Sequence, residues 1–234
     1  MGLEISSNTI KFYEKKGIQF FERFRAVNKH KNPVNVFMTE QNAIDTIKIT
    51  DLKERELGSY QLIFQKEKAS MEGKFLYADV PNENHGQLLT LSALIEFSKN
   101  RLNHFNLFSF KESIPYHARY GFLLDNDDPD YILNVLKQII KSKLPHIETF
   151  QQDAKFFHTK IQNSTDQTKE NQEILQNSCR VISDYLRYLS RRKMEKFAPD
   201  FEYASNVTFS DWEFETNRKY LNKLLKKHEI DYKF

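Results

Sequence analysis

The 234-residue chain has one cysteine, Cys179, six glycines, six prolines and one tryptophan. A lone cysteine excludes an internal disulfide and any zinc site built from cysteines, and it suits a reducing compartment. With so few glycines, each is expected at a turn, a cap or a close backbone approach. No apolar run approaches the ~18 residues that cross a bilayer. The first residues lack a basic region followed by an apolar stretch, so no transmembrane segment and no classical signal peptide are expected. The expectation is a cytoplasmic protein of bacterial type, with export by a non-classical route left open.

An excess of one charge is also missing. The 35 basic and 32 acidic residues leave a net charge of +3. That balance argues against a general nucleic-acid binder, which concentrates basic residues on one face. The seven histidines show no His-Glu-x-x-His spacing, which argues against a metal enzyme.

Aromatic residues are plentiful: twenty Phe and eleven Tyr fill a core and leave amphipathic rings at a rim. Residues 7–31, with Ser6, Ser7 and Asn8 as caps, read as helix, break at Gly17, helix, because Phe20, Phe21 and Phe24 recur at helical spacing. From residue 34 the period changes to strands around 34–38, 44–49, 60–64 and 75–80. They form an expected antiparallel meander, with Met71-Glu72-Gly73-Lys74 as a hairpin connection. Residues 86–102 then read as an amphipathic helix and 105–110 as a strand, an order that implies a parallel crossover.

The acidic run Asp125-Asn126-Asp127-Asp128-Pro129-Asp130 lacks the glycine and distal glutamate of a calcium loop. It reads instead as a helix start, with Asp128 as cap and Pro129 in the first turn. Beyond Pro145 the strand signal almost disappears. Helical patterns cover 147–162, a stripe of Leu175, Cys179, Ile182, Leu186 and Leu189, and a last helix whose capping box is Ser210 with Glu213. Arg187, Arg191, Arg192, Lys193 and Lys196 cluster near the end of the long helix; they complement its C-terminus or form an anion or acidic-partner site.

Two motifs in residues 75–122 resemble the GCN5-related N-acetyltransferase superfamily. The first is Val80-Pro81 followed by His85-Gly86-Gln87-Leu88-Leu89-Thr90 at the start of a helix. The second is Ser113-Ile114-Pro115-Tyr116-His117-Ala118-Arg119-Tyr120-Gly121-Phe122, spaced like that family's small residue, aromatic pair and final Gly-Phe. Phe12-Tyr13-Glu14-Lys15-Lys16-Gly17-Ile18 imitates the second motif with no strands before it, and we treat that as coincidence. The resemblance is looser from residue 34 and does not reach the C-terminal ninety residues.

The resemblance implies an α/β fold with a mixed, mostly antiparallel sheet and flanking helices over residues 1–145, followed by an all-α extension over 146–234. It implies acetyl-CoA as cosubstrate, no metal, and an amine acceptor, small molecule or protein. Backbone N–H groups at a helix N-terminus would meet the pyrophosphate, which assigns Val80, His85, Gly86, Gln87, Leu88, Thr90 and Ser113 to the coenzyme. His117 takes the position of the family's thiolate-protonating tyrosine, with Tyr116 beside it, and Asp79 is the carboxylate nearest the acyl group.

The chain departs from the pattern in three places. No basic or amide residue opens the phosphate loop, Leu88 and Thr90 stand where glycines often repeat, and a histidine replaces the tyrosine. Leu88 can offer its backbone or turn its side chain into the core. Two functions follow: an acetyl-CoA-dependent N-acetyltransferase, or a catalytically inactive interaction protein such as a secreted effector or regulatory adaptor. The C-terminal helices are the expected surface for a protein partner.

Overall fold

The computed structural model describes residues 12–15, 18–41, 44–80, 83–164 and 169–234. The caps expected at Ser6, Ser7 and Asn8, together with Gly17, Pro81 and residues 165–168, lie outside them. The chain divides into two compact units, Met1–Asn106 with Ser210–Phe234, and Leu107–Phe209. The boundary drawn from the sequence at 145/146 falls inside the second unit.

Six strands of the first unit follow one another as an antiparallel meander: β1 (Phe12–Lys15), β2 (Ile18–Val27), β3 (Pro33–Gln41), β4 (Ile44–Thr50), β5 (Glu56–Gln65) and β6 (Ser70–Ala78). Helix α1 (His85–Lys99) leads to β7 (His104–Ser109), which neighbours β6 in strand order. The mixed, mostly antiparallel architecture with flanking helices is therefore present.

Over the described residues from Phe12 on, the helical reading of 7–31 is wrong, and a β-bulge explains why. Phe21 pairs with Met38 and Phe24 with Val36, with a register shift between Glu22 and Phe24. Three residues of β2 thus span two of β3, so a strand takes on a helix-like interval. The hairpin expected at 71–74 is also misplaced. The β5–β6 turn is the 3₁₀ turn Lys66–Lys68, closed by Ala69 in the left-handed region, and Gly73 lies inside β6. A second bulge, where Gln61 pairs with Phe75 but Leu62 with Gly73, inserts Lys74 and reverses the strand's alternation. Gly73 then faces inward, and Phe75 and Tyr77 turn out to solvent.

One face of the meander supplies Val36, Ile47, Ile49, Tyr60 and Leu62 to the core, against Leu89, Leu91 and Phe97 of α1. Nearly every residue of α1 from His85 to Phe97 is buried, the mark of a helix packed on more than one side. Each fully buried leucine contributes about 2 kcal/mol by area. Helix α6 (Glu213–Lys227) belongs to this unit and buries Leu221, Leu224 and Leu225. The expected Ser210 capping box is absent: Ser210 ends a strand, and the helix begins after Trp212 without a side-chain cap.

The second unit holds α2 (Ile114–Ala118), β8 (Leu123–Asp125), α3 (Pro129–Lys141), α4 (Glu148–Gln162), α5 (Lys169–Arg191) and β9 (Ser205–Ser210). The cap on α3 is as expected, with the Asp128 carboxylate accepting from the N–H groups of Asp130 and Tyr131. The expected C-terminal helices are present, but β9 is a strand the sequence reading missed. It pairs antiparallel with β8, Leu124 opposite Val207. Only Val207 and Phe209 carry its alternation, too short a signal among polar neighbours.

Candidate functional site

The first unit places Asp79 and Val80 just after β6, and His85, Gly86, Gln87, Leu88 and Thr90 in the first turns of α1. The Asp79 N–H donates to the Leu57 carbonyl at 3.0 Å. Its carboxylate lies 3.2 Å from His85 Nδ1 and 3.5 Å from Arg55 Nη2. A carboxylate only accepts, so Nδ1 carries the imidazole proton in this pair. His85 is 3% exposed, and its Nε2 has no hydrogen-bond partner among the described residues.

The turn is anchored from the β2–β3 loop. Asn28 Nδ2 donates to the Glu83 carboxylate at 3.0 Å, and His30 Nε2 lies 3.0 Å from its other oxygen. The Glu83 carbonyl accepts from the Lys29 N–H at 3.1 Å. Asn84 follows at φ 66° and makes no side-chain cap. The Leu88 N–H bonding the Asn84 carbonyl at 3.0 Å opens the helical ladder among the described residues. The result is a helix N-terminus without a side-chain cap from Asn84, tied to the β2–β3 loop through Glu83.

The side chains assigned to the coenzyme mostly point elsewhere. The Leu88 side chain is fully buried in the core. Thr90 Oγ1 donates to the Gly86 carbonyl at 3.0 Å. Gln87 is buried, with its side-chain amide 2.6 Å from His228 Nε2. What this turn offers a ligand is therefore backbone. Val80 is exposed beside it.

Ser113, Tyr116 and His117 belong to the second unit. Ser113 stands at the N-cap of α2 without a side-chain bond to it, and its N–H donates to the Phe110 carbonyl at 2.8 Å. The Tyr116 and His117 rings meet edge to face at 5.2 Å, Tyr116 meets Tyr120 at 5.2 Å, and His117 meets Phe122 at 5.7 Å. Gly121 closes the segment at φ 113°, a backbone conformation that side chains with a Cβ resist. Burial among these rings lowers the His117 pKa to about 4, and its Nδ1 has no partner among the described residues. His117 is therefore a neutral imidazole at pH 7.

At the end of α5, one member of the cation cluster, Arg191, binds this same segment. Arg191 donates from Nε and Nη2 to the Arg119 carbonyl at 3.1 and 3.0 Å, and Ser190 Oγ donates to the Pro115 carbonyl at 2.7 Å. Arg119 pairs with Glu195, Arg187 with Asp184 at 3.0 Å, and Arg192 lies over the Tyr188 ring. These contacts favour the structural reading of the cluster over an anion site.

Sequence reasoning missed Arg55, Glu83, Asn28 and His228. None carries a local signal, because each acts through a partner far along the chain. Among the described residues, no group of three or more His, Cys, Asp or Glu could hold a metal ion, and no helix is long and apolar enough to cross a membrane.

No family model and no curated protein matches the chain. Solved structures similar to parts of it include Tetrahymena GCN5, with 16% identity over 38% of this chain and 57% of that one, at a TM-score of 0.35. A PaiA N-acetyltransferase from Thermoplasma acidophilum in complex with coenzyme A is 17% identical over 37% of this chain and 55% of its own, at 0.32. Rv2747 from Mycobacterium tuberculosis in complex with CoA is 13% identical over 75% of both chains, at 0.33. The matched part spans little more than half of the first two.

Proposed function

We propose that this chain is an acetyl-CoA-dependent N-acetyltransferase that passes the acyl group directly to an amine. One observation carries the reading: the N-terminus of the fifteen-residue α1, which follows β6 in the chain and takes no side-chain cap from Asn84, with its turn braced by Asn28, His30 and Glu83. Such a terminus presents N–H donors and the positive dipole end to an anion, as a pyrophosphate requires. The motifs of residues 75–122 name the coenzyme class.

Transfer forms an N–C bond and breaks the C–S bond. The acceptor ammonium must lose a proton and the departing thiolate must gain one. His117, neutral at pH 7, holds no imidazolium proton to deliver. The neighbouring Tyr116, half-buried, carries a phenol proton, and we assign it the donor role, with His117 fixing its ring. Asp79 is engaged on both oxygens, so its part is to orient His85, and water accepts the ammonium proton. The buried side chains of Gln87, Leu88 and Thr90 favour a second reading, an interaction protein that keeps the fold without the chemistry.

Calorimetric titration of the full chain with acetyl-CoA, with Gly86→Trp as control, separates them. The expected result is saturable binding that the tryptophan abolishes. No heat at millimolar ligand overturns the enzyme reading and leaves the interaction protein.

A further inference from the structure

Helix α6 ends in a Schellman motif. Glu229 is left-handed at φ 57°, its N–H donates to the Lys226 carbonyl at 3.2 Å, and the Ile230 N–H reaches the Leu225 carbonyl at 3.0 Å. This closure fixes the backbone of His228 independently of its side chain. His228 is fully buried, and burial holds its pKa below the usual histidine range.

Three contacts radiate from it. Its carbonyl accepts from the Val27 N–H at 2.9 Å, and its Nδ1 donates to the Val27 carbonyl at 2.6 Å, since a carbonyl can only accept. With that proton on Nδ1, Nε2 of the neutral ring accepts, so the Gln87 side-chain amide presents its NH2 group at the position 2.6 Å away. Lys31, next to the Asn28 anchor, adds a bond from Nζ to the Lys227 carbonyl at 3.1 Å. One residue thus joins the end of β2, the first turn of α1 and the end of α6.

The position of Gln87 gives these contacts their meaning. With Asn84 as N-cap, Gln87 is the third helical residue. A glutamine there can fold back to the N-cap N–H and close the helix start as a capping box. Here His228 engages that amide from a segment 141 residues away.

We propose that His228 is a positioning residue for the α1 N-terminus, committing Gln87 to the C-terminal segment and holding the 83–87 turn preformed for an anionic group. The proposal rests on the coenzyme reading above for the identity of that group. It does not rest on it for the positioning itself.

Two variants of the full chain break the contact from opposite sides. His228→Asn keeps a side-chain amide that can donate toward Val27 but loses the reach to Gln87, and Gln87→Met keeps side-chain length without hydrogen bonding. Hydrogen exchange at the Leu88 and Leu89 amides reads the turn directly, and CoA calorimetry reads its use. Exchange is expected to speed up about tenfold in both variants, and CoA Kd to weaken about tenfold, the loss of one hydrogen bond of about 1.4 kcal/mol. In turnover, KM for acetyl-CoA rises while kcat holds. Unchanged exchange in a folded variant overturns the positioning role, and Gln87→Met alone decides it if His228→Asn does not fold. Faster exchange with no CoA binding even by the parent chain upholds the positioning and overturns the coenzyme reading instead.

Discussion

Gly73 lies under the Tyr60 hydroxyl so closely that a Cβ on residue 73 would stand 2.3 Å from that oxygen and 3.1 Å from the Phe105 ring. The contact seats the bulge at Lys74, and with it the reversal that sends Phe75 and Tyr77 outward just ahead of Asp79. Gly73→Ala is expected to cost about 1–3 kcal/mol, as overpacking does in a filled core. Tyr60→Phe removes the nearest atom, so the double variant should recover at least about 0.5 kcal/mol relative to additivity. Urea denaturation of the four-member cycle checks it; strict additivity would show that the two positions do not press on each other.

The Asp79–His85 pair yields a second expectation. Asp79→Ala leaves the buried His85 ring without its partner, a loss of about 1–3 kcal/mol. Arg55→Gln removes only an exposed guanidinium at 3.5 Å and should stay within about 0.5 kcal/mol of the parent. Equal destabilisation by the two would mean that the arginine, not the histidine, is the partner that matters to Asp79.

His117 makes stability depend on pH in a stated direction. Its pKa is lowered to about 4 by burial, so between that value and the unfolded value near 6.5 the unfolded chain binds the extra proton. The contribution is full above pH 6.5 and is lost as pH falls toward 4, amounting to about 3 kcal/mol. His228, also lowered by burial, acts in the same direction. His117→Gln should therefore flatten the acid limb of a plot of urea midpoint against pH relative to the parent. A parallel limb would mean that His117 titrates normally in the fold.

How much of this was legible depended on how local each signal was. The α3 start could be read because cap, proline and acidic first turn are adjacent: Asp128, Pro129, Asp130. The motif segments could be read because turn chemistry is local, as Gly121 at φ 113° shows. Strand β2 could not, since a bulge at residues 22–24 changes the period from which an element is inferred, and only pairing with β3 reveals it. The glutamine of the α1 turn looked like a ligand residue because nothing near it announces His228. Fold class follows from repeated local patterns, whereas a site is completed by single long-range partners that leave no pattern.

The Asp128 cap gives the last expectation, because the same carboxylate has a second duty. One oxygen accepts from the Asp130 and Tyr131 N–H groups, and the other accepts from the Tyr203 hydroxyl at 2.6 Å. The Tyr203 bond is the leading cause of the lowered Asp128 pKa, and the same bond raises the phenol to about 12. Asp128→Ala removes both functions and should cost the cap's ~1 kcal/mol plus the tyrosine's bond, about 1.5–2.5 kcal/mol together. Asp128→Asn keeps an oxygen for the cap and should lose less than about 1 kcal/mol. Tyr203→Phe isolates the second function, and in its presence Asp128→Ala should cost only the cap. If Asp128→Ala costs the same with and without the tyrosine hydroxyl, the bond adds nothing to stability and the carboxylate serves α3 alone.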